Sequence, residues 1–179
     1  MEFLSDYWIP IVVSAVFVWI ASAVIHMALP HHKPEWKGLP DEETVTASIK
    51  GLEPGQYMFP WPSSMQDLKN PDFIEKQRKG PCGLLTIWPT ASNMGKNLML
   101  MLLFYLVVGL FIAYVGSHTI APDADYLATF RITGTIAFMA HGFGLIPIMV
   151  WFGFKGFWTY SFDALVYALV TAGVFGWLA

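Results

Sequence analysis

The strongest constraint on this chain is a set of four long apolar segments separated by polar connections. They cover residues 7–29, 97–116, 126–153 and 157–178. Each is close to or longer than the roughly 20 residues that an α-helix needs to cross about 30 Å of hydrocarbon. The composition agrees, because 55% of the residues are hydrophobic and only 13% are charged, as is typical of membrane proteins. The pattern predicts an all-α membrane protein, a single membrane domain with four transmembrane helices.

The first apolar segment predicts a membrane span rather than a cleavable signal peptide. Signal peptides begin with a basic region, whereas this chain carries Glu2 and Asp6 before the segment and no lysine or arginine. The segment is also long enough to cross a bilayer. We therefore expect it to be the first transmembrane helix.

Two further observations limit what the protein can do. Cys82 is the single cysteine of the chain, which excludes an intramolecular disulfide. The net charge is −3 and the basic run is confined to residues 76–79, so nothing indicates nucleic-acid binding. The expected partners are the lipid bilayer and either further copies of the chain or the subunits of a larger membrane complex.

The lysines and arginines are distributed unevenly along the chain. Of the ten, eight lie between the first and second segments or at their junctions: Lys33, Lys37, Lys50, Lys69, Lys76, Arg78, Lys79 and Lys96. The connection 117–125 has none and contains Asp123 and Asp125. Because cytoplasmic loops carry an excess of lysine and arginine, the pattern predicts that loop 30–92 is cytoplasmic and that both termini are extracytoplasmic.

The sequence of loop 30–92 predicts local structure rather than disorder. Asp41 followed by two glutamates indicates the start of a short helix, and the pair Asn70-Pro71 indicates a second one. Residues 84–88 form a short β-prone run. The aromatic and proline-rich stretch 57–62 predicts an irregular segment at the level of the lipid headgroups. We therefore expect a structured loop.

The third and fourth apolar segments carry small residues at four-residue spacing, which marks close helix contacts in a bilayer. The third segment has Thr129, Thr133, Ala137 and His141, and the fourth has Ala164, Ala168, Ala172 and Gly176. The connection between the segments is short, so we expect them to form an antiparallel helix pair. The alternative is that the alanine stripe makes a contact between protomers.

Gly142, Gly144 and Pro147 follow His141 and interrupt the third segment. Pro147 cannot donate to the helical hydrogen-bond ladder, so it predicts a kink or break that leaves backbone carbonyls without their ordinary partners. Transporters place binding sites at such breaks, but glycine and proline are also common in plain transmembrane helices. We expect a structural kink, with a functional break as the alternative.

His141 is predicted to lie deep inside the membrane. At about 1.5 Å per residue it lies roughly 16 Å from the cytoplasmic end of the third helix, a depth that Tyr167 matches on the fourth. Asp163 lies one turn nearer to that end. Because ionisable groups inside a membrane are often functional, we predict an intramembrane polar site in which His141 bonds Tyr167 or Asp163. The alternative is a packing histidine and an aspartate that complements a helix N terminus.

A cluster of histidines lies at the end of the first segment and directly after it. His26, His31 and His32 lie near Glu35 and the acidic residues 41–43, and imidazoles and carboxylates are the ligands of zinc and similar ions. The spacing matches no established metal motif, so these histidines are weak metal candidates. The expected role is a polar collar at the membrane interface. No cofactor is predicted, and a bound metal ion is the alternative.

Three short motifs accompany the apolar segments: Ala28-Leu-Pro-His-His-Lys33, Pro54-Gly-Gln-Tyr-Met-Phe-Pro60 and Asn93-Met-Gly-Lys-Asn-Leu98. In this arrangement the chain resembles a family of uncharacterised bacterial four-helix integral membrane proteins. The resemblance spans the whole chain. It implies a four-helix architecture and a place in the bacterial inner membrane, and it implies no activity, cofactor or catalytic residue.

Three function classes are compatible with these patterns. The first is an assembly or accessory component that self-associates or belongs to a larger membrane complex, as the small-residue stripes indicate. The second is a homo-oligomeric transporter or channel for a small solute or ion, built around the kinked third helix and His141. The third is a metal-binding membrane protein that uses His31 and His32. No catalytic residues are predicted, and the accessory role is the expected one.

Overall fold

The computed structural model describes residues 3–179, most of which are helical. Four helical segments are long and apolar enough to cross a membrane: α1 (Phe3–Ala28), α4 (Met94–Thr119), the segment Tyr126–Phe152 and α7 (Phe157–Leu178). The structure thus confirms the predicted helical fold with four apolar helices, which fit a multi-pass membrane protein. α4 begins before its apolar stretch because the Asn93 side chain caps it, accepting the backbone N–H of Lys96.

The third span is not one continuous helix. It consists of α5 (Tyr126–Gly142), a 3-10 turn (Phe143–Leu145) and α6 (Ile146–Phe152). Pro147 lies in the first turn of α6, where its missing N–H removes no intrahelical hydrogen bond. The interruption that the glycines and this proline predicted is therefore present directly after His141.

α1, α4, α5 and α7 pack together as a bundle. α7 lies against α1 and α5, and α4 packs on the same two helices. The interior is closed by fully buried side chains such as Val18, Ile112 and Phe175, whereas Trp151 and Trp177 are among the large apolar residues exposed on the outside. Extended apolar outer surfaces are typical of helices that contact lipid.

α5 and α7 form the most extensive helix pair among residues 3–179. A Cβ added to Gly134 would lie 3.0 Å from the Cβ of Ala172, and one added to Gly142 would lie 3.4 Å from the Cβ of Ala164. Glycine thus permits the close backbone approach on which helix packing in bilayers depends. The structure buries most of the small residues of the two stripes: Thr129, Thr133, Ala137, Ala164, Ala168 and Ala172. Gly176 lies against the ring of Tyr126.

Residues 38–92 form a separate compact unit. It contains α2 (Glu42–Ile49), β1 (Gly55–Phe59), α3 (Pro71–Lys79) and β2 (Gly83–Ile87). Asp41 caps α2 and Asn70 caps α3 through side-chain oxygens that accept backbone N–H groups. β1 and β2 pair as a two-stranded antiparallel sheet.

The stretch 57–62 differs from its predicted irregular conformation. Its first three residues belong to β1, where Tyr57 is paired with Leu85 of β2. The partner strand lies far away in the sequence, and strand formation depends on cross-strand neighbours more than on local composition. The local pattern therefore did not reveal the strand.

Candidate functional site

Polar side chains converge where α1 ends and α7 begins. α1 ends at Ala28. Pro30, which cannot continue a helix, follows directly after Leu29. The chain then forms a 3-10 helix (Lys33–Glu35) with Pro34 in its first turn. This turn directs the side chains of His31, His32 and Glu35 toward α7, which they contact through hydrogen bonds.

Asp163 is the centre of this cluster. It lies in the second turn of α7, and only 3% of its surface is exposed. Oδ1 lies 2.9 Å from Nε2 of His31, and Oδ2 lies 2.8 Å from Nε2 of His32. Nε2 of His26 lies 3.8 Å from the same Oδ2. Because a buried carboxylate is unfavourable without partners, the three imidazoles account for how this charge is accommodated.

Two of these histidines are also held by partners on their outer side. Nδ1 of His26 donates to the carbonyl oxygen of Ser22 at 2.9 Å. Nδ1 of His32 lies 2.9 Å from the nearer carboxylate oxygen of Glu35, and Glu35 in turn accepts a hydrogen bond from the hydroxyl of Thr159. Both rings are therefore oriented so that their Nε2 atoms face the same carboxylate oxygen.

The carboxylates change the pKa values of the groups around them. Burial alone would lower the pKa of the His32 imidazole, but the hydrogen bonds with Asp163 and Glu35 outweigh burial and raise it. Burial would likewise raise the pKa of Glu35, but the hydrogen bonds from Thr159 and His32 hold that pKa below its ordinary value. Glu35 is therefore ionised and is a strong hydrogen-bond acceptor for the ring of His32.

Three side chains of the cluster form a group that could hold a metal ion. One donor atom each from His26, His32 and Asp163 lies within 4.8 Å of the other two. Nε2 of His32 lies at hydrogen-bond distance from Oδ2 of Asp163, 2.8 Å, and Nε2 of His26 lies 3.8 Å from it, so an ion would replace the hydrogen bond between His32 and Asp163. Histidine ligands usually donate their other ring N–H to a carboxylate or a backbone carbonyl. Nδ1 of His26 bonds a backbone carbonyl, and Nδ1 of His32 bonds a carboxylate.

A second polar group lies deeper between the helices. The ring of His141 contacts the rings of Tyr105 and Tyr167 edge-on, with centroids 5.7 and 5.5 Å apart. Beside His141 is a small pocket lined by apolar residues and by the hydroxyl-bearing Ser14 and Thr171. The bundle interior at this depth is therefore partly polar.

The structure distributes the predicted intramembrane residues over these two groups. It brings Tyr167 into ring contact with His141. Asp163 lies one turn nearer to the start of α7 and pairs with His31 and His32 instead. Asp163 thus brings the three metal candidates His26, His31 and His32 together, whereas the sequence had associated Asp163 with His141.

Several residues of the cluster had no predicted role. Ser22 contributes only its backbone carbonyl, and Thr159 bonds Glu35, which is distant in the sequence, so neither role had a sequence signal. Glu35 was noted only as an acidic neighbour of the histidines. Tyr105 carried no signal, because it approaches His141 from a helix that is distant in the sequence.

No protein-family model, curated protein or solved structure matches this chain. The class of protein is therefore defined by the fold and the site themselves. The chain is mostly helical, with four apolar helices that fit a multi-pass membrane protein, and it has a cluster of histidines and carboxylates where α1 ends and α7 begins.

Proposed function

We propose that this protein is a membrane protein that binds a divalent transition-metal ion through His26, His32 and Asp163. The observation that carries the proposal is the convergence of three donor atoms within 4.8 Å. Two of the donors are imidazole nitrogens whose rings are already oriented by a hydrogen bond at Nδ1. A polar collar that only meets solvent does not require this second layer of partners, whereas a metal site does.

The chemistry of the donors indicates the class of ion. Two imidazole nitrogens and one carboxylate oxygen suit Zn²⁺ and neighbouring first-row ions. Ca²⁺ and Mg²⁺ instead prefer about six or more oxygen ligands. We therefore expect selective binding of the transition metals over Ca²⁺ and Mg²⁺.

The distribution of basic residues supports a location for the site. The cluster lies at the end of α1 that continues into loop 30–92. We propose that this loop is cytoplasmic and that both termini are extracytoplasmic, because lysine and arginine are concentrated in the loop. The family resemblance implies a bacterial inner membrane. On this topology the metal site faces the cytoplasm.

Calorimetric titration of the purified full chain in detergent with Zn²⁺ tests the proposal. We expect one ion per chain. His32→Ala and Asp163→Asn each remove or weaken one of the three ligands. Both should lose more than about tenfold in affinity, since the loss of even an outer partner typically has that effect.

His118→Ala is the matched control for this titration. His118 lies in the last turn of α4, exposed, with Nδ1 bonded to the carbonyl oxygen of Tyr114, and its replacement should leave Zn²⁺ binding unchanged. The proposal is contradicted if the unmodified chain binds no Zn²⁺. It is equally contradicted if folded His32→Ala and Asp163→Asn bind as tightly as the control.

The other two function classes stay predictions. The small-residue stripes that suggested an accessory role pack within one chain, between α5 and α7. The transporter or channel hypothesis rests on the interruption of the third span next to His141. We favour metal binding because its donor atoms already face one another.

A further inference from the structure

We infer that the metal ion has three protein ligands and one open coordination position, which accepts a water molecule or a small monodentate anion. This inference rests on the metal-binding function proposed above and adds the ligand class of the site. Structural zinc sites are closed by four protein ligands, whereas sites with three protein ligands keep a position for water or a substrate.

His31 is the imidazole nearest to the three ligands, and it is already engaged. Its Nε2 lies 2.9 Å from Oδ1 of Asp163, whereas His26 and His32 face Oδ2. With Oδ2 on the ion, the hydrogen bond from His31 to Oδ1 orients the carboxylate, as outer partners of metal ligands usually do. His31 is therefore a positioning residue and not a fourth ligand.

Glu35 is the nearest further carboxylate, and it is engaged through both oxygens. They lie 3.0 and 2.9 Å from Nδ1 of His32, and one of them also accepts the hydroxyl of Thr159. Nδ1 and Nε2 point to different sides of an imidazole ring. Glu35 thus lies behind the ring of His32, away from the ion position at Nε2.

The ion position is uncovered by the protein on the side of His26. The His26 side chain is 48% exposed, whereas the Asp163 side chain is 4% exposed. An ion between them is shielded on the Asp163 side and accessible on the His26 side. His26 lies in the last turn of α1, so the open position is at the end of the span, where a small ligand can enter.

The visible absorption of Co²⁺ reports changes in its ligands and can test this inference. The full chain would be loaded with Co²⁺ in detergent and titrated with azide as the small anion. We expect azide to shift the absorption bands in a saturable way. His31→Gln should respond similarly, because glutamine can still donate to Oδ1 of Asp163.

The outcomes separate this inference from the proposed function. Stoichiometric Co²⁺ binding with a spectrum that azide does not change would overturn the open position and leave the metal-binding function standing. No Co²⁺ binding would overturn both. A response in His31→Ala but not in the unmodified chain would show that His31 closes the site as a fourth ligand, which also overturns the inference.

Discussion

At the scale of single residues, the orientation of the donor atoms depends on hydrogen bonds outside the ion position. Glu35 holds Nδ1 of His32, and the Ser22 carbonyl holds Nδ1 of His26. Without these partners each imidazole can rotate about its side-chain bonds, and ordering it on binding has an entropic cost. In the proposed metal site, the outer partners therefore contribute to affinity without touching the ion.

Glu35→Ala is expected to lower Zn²⁺ affinity by about 10- to 100-fold, the usual loss for an outer partner of a metal ligand. Glu35→Gln should lose less, because its amide oxygen can still accept from Nδ1 of His32. Calorimetric titration of the full chain measures both. Glu43→Ala, in the exposed first turn of α2, is the control and should match the unmodified chain. Equal affinity in Glu35→Ala would show that Glu35 does not position His32.

At the scale of elements, α5 and α7 approach closely because small residues line their contact. Helix association in a bilayer gains little from apolar burial, since lipid is itself apolar, and relies on packing at short distance. Ala168 is 4% exposed within this contact, whereas Leu169 is 50% exposed on the outside of the same helix. The two positions therefore differ in how they respond to a change of size.

Ala168→Leu is expected to destabilise the bundle by about 1–3 kcal/mol, because a larger side chain overpacks a filled interface. Thermal unfolding of the full chain in detergent should show a lower Tm. Leu169→Ala changes an outward-facing position and should leave Tm nearly unchanged. An unaltered Tm and protein level in Ala168→Leu would place Ala168 at the lipid surface.

At the scale of the whole molecule, the bundle brings two distant parts of the sequence together in one site. His31 and Asp163 are 132 positions apart in the sequence, and their contact exists because α1 and α7 are neighbours. The proposed topology then determines which compartment supplies the ion. The orientation of the chain in the membrane is thus part of the functional hypothesis.

A fusion of alkaline phosphatase to the C terminus tests this orientation in bacterial cells. We expect an active phosphatase, because the basic residues concentrated in loop 30–92 favour a cytoplasmic loop and extracytoplasmic termini. A green fluorescent protein fused at the same position should be dark. An inactive phosphatase together with a fluorescent fusion would reverse the topology and place the metal site on the other side.

The sequence by itself determined the features that depend on local chemistry. A membrane span requires about 20 apolar residues in a row, so the four spans were readable from composition. The cap at Asn70 and the interruption before Pro147 follow from the backbone chemistry of single residues. These requirements are met within a few residues, and a local pattern therefore reveals them.

Only the tertiary structure decided the membership of the site. Comparing depths along the helices associated Asp163 and Tyr167 with His141, but depth is a single coordinate. It does not specify the rotation of each helix about its axis or the path of the chain after Pro30. Along that path the chain returns to α7, where His31 and His32 form hydrogen bonds with Asp163. Because the contact depends on how α1 and α7 pack, no pattern within either segment could predict it.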